Sequence, residues 1–139
     1  MKRLILEKLE KWKQSKRRKP LLLRGARQVG KTWVLKEFGN TFADGFVHID
    51  FDKQVEYRQF FEQTKDVKRI LDNLALATGK KITPKTLIIF DEIQACESAL
   101  NSLKYFYEDA PQYSVVGAGS LLGLKLASGF PVGKVEFLD

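Results

Sequence analysis

Gly25-Ala26-Arg27-Gln28-Val29-Gly30-Lys31-Thr32 fits the spacing G-x-x-x-x-G-K-[ST] at every fixed position. A loop that wraps a phosphate group with its backbone N–H groups must approach it closely and take unusual backbone angles, which Gly25 and Gly30 permit. Lys31 supplies a point charge for β- and γ-phosphate oxygens, and the Thr32 hydroxyl a ligand for Mg²⁺. A helix opening at Gly30–Lys31 adds its positive dipole end. From residue frequencies, a chance match in a chain of 139 residues is on the order of 1%. The flanks narrow this further. Leu21-Leu22-Leu23, bounded by Pro20 and Gly25, is too short for a helix and reads as a buried strand. Residues 31–38 carry Trp33/Val34, Leu35 and Phe38 at helical spacing and stop at Gly39-Asn40.

Outward from this loop, strands and helices alternate. Residues 2–14 read as a helix with Ile5, Leu9 and Trp12 on one side. Strands are expected over 45–51, 86–90, 113–116 and 134–138. Helices are expected over 53–63, over 65–78 with Val67, Ile70, Leu71, Leu74 and Leu76, over 96–109, and briefly over 120–127. Continuous apolar strands alternating with helices predict a parallel sheet of four or five strands covered on both faces, a three-layer α/β/α P-loop NTPase fold. The division expected is a basic helix and linker, 1–19, followed by the core, 20–139.

The strand Leu87-Ile88-Ile89-Phe90 ends in Asp91-Glu92. In a parallel sheet ligands sit at the carboxyl ends of strands, so this strand delivers two carboxylates to the edge where the loop lies. Asp91 is expected to hold Mg²⁺, directly or through water, and Glu92 to act as general base on an attacking water. A third strand ends in Gly117-Ala118-Gly119-Ser120. Ser120 reads either as a catalytic sensor of the γ-phosphate or as the cap of a following helix. Gln94 could touch the γ-phosphate or serve at the surface or as a cap, and Arg24 and Arg27 could meet phosphate, a neighbouring subunit or solvent. His48, without ligand-spaced partners, reads as a packing residue, and Cys96 as an inert thiol.

The single cysteine rules out an intrachain disulfide, and no apolar run is long enough for a membrane span or secretory signal, so a cytoplasmic location is expected. Residues 1–19 hold nine Lys/Arg against Glu7 and Glu10, which accounts for the whole net charge of +7; the remainder has 15 residues of each sign. The leader reads as a helix packed on the domain, a nucleic-acid contact, or a site for an acidic partner or membrane surface. The balanced body offers no case for a protein that coats nucleic acid.

Leu22–Thr32, Thr86–Gln94, Ser102–Glu108, Gly117–Gly123 and Phe130–Leu138 together resemble a family of prokaryotic AAA-like ATP-binding proteins in the AAA+ group, which carry a C-terminal domain of unknown function. The chain resembles only their N-terminal ATPase part. The Gly-Ala-Arg-Gln filling of the loop, Asp91-Glu92-Ile93-Gln94 and Pro131–Leu138 are the more specific phrases. The resemblance implies an ASCE-type sheet, with a strand added between those of the loop and the acidic pair. It implies ATP and Mg²⁺ as cofactors, the loop and Asp91-Glu92 as Walker A and Walker B motifs, and Lys31, Thr32, Asp91 and Glu92 in the roles above, with Ser120 at the sensor position. Family members continue past Leu138, so the chain is expected to be incomplete at its C-terminus. An arginine finger would come from self-association or a further domain, and turnover would depend on such segments.

An ATP-hydrolysing module is therefore the expected function. A nucleotide-binding switch or inactive fragment without turnover is the alternative. A small-molecule kinase would need an Arg-rich lid, and a GTPase an Asn-Lys-x-Asp motif; the sequence has neither.

Overall fold

The computed structural model describes residues 2–15, 18–24, 31–119 and 132–138. Strands β1 (Leu21–Leu23), β2 (Phe46–Asp50), β3 (Leu87–Asp91), β4 (Ser114–Ala118) and β5 (Glu136–Leu138) form one sheet in the order β2-β3-β4-β1-β5. Every neighbouring pair is parallel. The apolar runs explain the central strands: β1, β3 and β4 are buried at every residue, as a sheet covered on both faces requires.

Side chains alternate across this sheet and feed two cores. Leu22, Val47, Ile49, Ile88, Phe90 and Val115 face α3 (Gln59–Glu62), α4 (Val67–Thr78) and α5 (Glu97–Asp109). Leu21, Leu23, Leu87, Ile89, Val116 and Ala118 face α1 (Lys2–Gln14) and α2 (Lys31–Gly39). The result is the expected three-layer α/β/α arrangement. Leu9 and Trp12 of α1 are buried in the second core, and the Trp12 indole N–H donates to Lys19 O at 2.7 Å. The first part of the leader thus packs on the sheet.

Several details depart from the sequence pattern. The segment expected as a helix over 53–63 is a 3-10 turn, Val55–Arg58, followed by the single turn of α3, because only Phe61 in it is buried and no apolar stripe sustains a longer helix. Leu76 is 83% exposed: it lies two residues past buried Leu74, on the opposite side of α4. Trp33 is likewise half exposed, while Val34, Leu35 and Phe38 carry the packing of α2. Strand β4 runs two residues beyond the expected Val116, since Gly117 is small enough to lie between Leu22 and Ile93. Strand β5 is shorter than expected, following a 3-10 turn over Val132–Lys134.

Candidate functional site

Alternation along the strands decides which polar groups meet. In β3 the residues 87, 89 and 91 face α2, so Asp91 emerges at the strand end beneath the first turn of that helix. Thr32, second residue of α2, donates its hydroxyl to Asp91 Oδ2 at 2.6 Å. The neighbouring Lys31 Nζ donates to Gly119 O at 3.3 Å, just past the end of β4. Because β4 lies between β1 and β3, one helix turn touches the ends of two adjacent strands.

Asp91 accepts two further hydrogen bonds. His48 Nε2 lies 2.9 Å from Oδ2, and the Glu92 backbone N–H donates to Oδ1 at 3.0 Å. Burial, the largest single effect, raises the Asp91 carboxyl, but hydrogen bonds from His48 and Thr32, the electrostatic attraction of His48 and the Glu92 N–H together outweigh it. Asp91 therefore sits below the ordinary carboxylate range and is ionised at neutral pH. Lys31 moves down from its usual value because burial disfavours its charge, an effect opposed by the charges of Glu92 and Asp91.

Glu92 is the one non-glycine residue with positive φ among those described, at φ 50° and ψ 45°. This left-handed conformation costs an L-residue about 1–2 kcal/mol. It turns the chain sharply from β3 into a 3-10 turn, Ile93–Ala95. Such outliers persist where the surroundings over-determine them and concentrate at functional sites. Gln94 Nε2 donates to Glu92 Oε2 at 2.6 Å, and its Oε1 packs against Gly119.

Of the residues singled out by sequence, Lys31, Thr32, Asp91, Glu92 and Gln94 thus converge on one edge of the sheet. Gly25–Gly30 and Ser120 lie outside the described residues. Arg24 stacks over Phe137, with its guanidinium 4.3 Å from the ring centroid. Cys96 is buried, which pushes its thiol up and agrees with an inert group. His48 corrects the packing assignment: its ring engages Asp91. The signal was available in the polar residues His48 and Asp50, alternating along an otherwise apolar parallel strand whose polar face must meet something specific.

A parallel sheet with the loop strand and the acidic strand separated by an added strand, and Lys31-Thr32 opening the helix behind the loop, defines a P-loop nucleoside triphosphatase domain. The chain belongs to the AAA domain family, whose model matches residues 17–139, and is an AAA-like nucleotide-binding module. No curated protein matches the chain. Its fold is similar to that in the structure of PCH-2 from C. elegans, with TM-score 0.52 and 13% identity, covering 99% of this chain and 42% of that one. It is also similar to the Aeropyrum pernix ORC1 protein, solved in complex with DNA, with TM-score 0.58 and 16% identity, covering 99% of this chain and 44% of that one. The chain thus spans less than half the length of either. Among the described residues no helix is long and apolar enough to cross a membrane.

Proposed function

We propose that this chain binds ATP with Mg²⁺ through the loop Gly25–Thr32 and hydrolyses it to ADP and phosphate. The observation that carries this reading is the 2.6 Å hydrogen bond between Thr32 and Asp91, which joins the end of the loop motif to the acidic strand across 59 residues of sequence. The donor set fits Mg²⁺: a hydroxyl and an ionised carboxylate are hard oxygen ligands. Among the described residues no cluster of three His, Cys, Asp or Glu could hold a metal alone, so phosphate and water would complete the shell. An ion held by Thr32 and Asp91 would neutralise charge on the β- and γ-phosphate oxygens. Lys31 places its ammonium on the same oxygens. Glu92 accepts a proton from the water that attacks the γ-phosphorus, and ADP leaves with the bridging oxygen.

A second reading is nucleotide binding without turnover. Titration with fluorescent ATP and Mg²⁺, with phosphate release followed in the same samples, separates the two. Binding lost in Lys31→Ala together with release lost in Glu92→Gln supports hydrolysis. Lys31-dependent binding without release leaves the switch reading, and no binding at all overturns both.

A further inference from the structure

His48 lies on the same face of the sheet as Asp91, since β2 presents Phe46 to the α2 side and residues 48 and 50 follow at the same parity. In the strand register His48 stands beside Ile89, one step short of Asp91 on that face, so the imidazole reaches along the strand to the carboxylate. The side chains are 18% and 9% exposed, and the contact is sheltered from water. A carboxylate offers about four lone-pair positions. On Asp91 both positions of Oδ2 are occupied, by Thr32 and His48, and one of Oδ1 is occupied by the Glu92 N–H. Among the described residues, the remaining position is on Oδ1.

We propose that His48 is a positioning residue: by donating from Nε2 to Asp91 Oδ2 it fixes the carboxylate so that Oδ1 is the oxygen left for a Mg²⁺–nucleotide complex. This rests on the reading of Asp91 as the Mg²⁺-linked carboxylate. A ligand carboxylate held by an outer hydrogen bond loses rotational freedom before the metal arrives, and removing such a partner typically weakens metal binding about 10- to 100-fold.

The test uses the full chain and fluorescent ATP, titrated with Mg²⁺ and separately in EDTA, with urea unfolding of each variant alongside. His48→Leu is expected to raise the Mg²⁺ concentration for half-maximal tightening of ATP binding about tenfold, with binding in EDTA within about twofold of wild type. The glutamine side chain carries its Nε2 to nearly the same distance as the imidazole Nε2, whereas asparagine is one bond too short. His48→Gln should therefore restore the wild-type Mg²⁺ midpoint and His48→Asn should not, a difference that general destabilisation would not produce. Asp91→Asn is the control. If Asp91→Asn shifts the Mg²⁺ midpoint and neither His48→Leu nor His48→Asn does, the positioning role is wrong. Equal shifts in His48→Gln and His48→Asn overturn it too, because the effect is then not one of reach. If Asp91→Asn shifts nothing, the reading of Asp91 has failed and the inference falls with it.

Discussion

Gln94 Nε2 donates to Glu92 Oε2 at 2.6 Å while Oε1 of the same amide is buried against Gly119 with no hydrogen-bond partner among the described residues. A Cβ at position 119 would collide with Oε1, the far end of a flexible side chain. Gly119→Ala should therefore leave the fold intact but push the amide off Glu92, as Gln94→Ala removes it. Each variant is expected to lower single-turnover phosphate release about tenfold, because a general base that loses its orientation loses effective concentration. The double variant should be no slower than either single one, since both remove the same contact. Additive losses would show that Gly119 and Gln94 act independently.

The backbone of Glu92 predicts a reversal of the usual rank of small residues. Glu92→Ala and Glu92→Gly both delete the side chain, but only glycine relieves the left-handed conformation. Glu92→Gly should be more stable than Glu92→Ala by about 1 kcal/mol, where an ordinary position favours alanine. Urea midpoints measure the difference, and both variants are expected to lose phosphate release.

The depressed Asp91 carboxyl makes stability fall in acid. Its folded value lies below its unfolded value of about 3.9, so its contribution is fully present above that pH and is lost as pH falls through the folded value. The urea midpoint of the wild type should drop more between about pH 5 and pH 3 than that of Asp91→Asn, which has no carboxyl to protonate there. Parallel profiles would mean that the hydrogen bonds from His48 and Thr32 do not favour the ionised form.

Leu9 tests whether the basic leader is part of the folded unit. It is fully buried in the core under α2, whereas Leu4 on the same helix is 56% exposed. Leu9→Ala should cost about 2–5 kcal/mol by the burial lost and the cavity left, and Leu4→Ala about 0.5 kcal/mol or less. Chemical denaturation of the two variants distinguishes a structural helix from a detachable charged arm.

Sequence alone carried the motif Gly25–Thr32 because a phosphate-binding loop depends on contiguous backbone: its glycines, lysine and hydroxyl must lie at fixed steps along the chain. It also carried the run 87–92 and the alternation of strands and helices, since burial on both faces demands an unbroken apolar stretch. Local pattern was blind to what depends on the far side of a contact. The exposure of Trp33 and Leu76 follows from which helix face meets the sheet. The hold of Gln94 on Glu92 requires the left-handed turn after β3. Most of all, the meeting of His48 with Asp91 required β2 to lie beside β3 in a register that places residues 43 positions apart on one face. Hydrophobic spacing records whether a side chain is inward, but hydrogen bonds between strands depend on strand order and register, which only the assembled sheet decides.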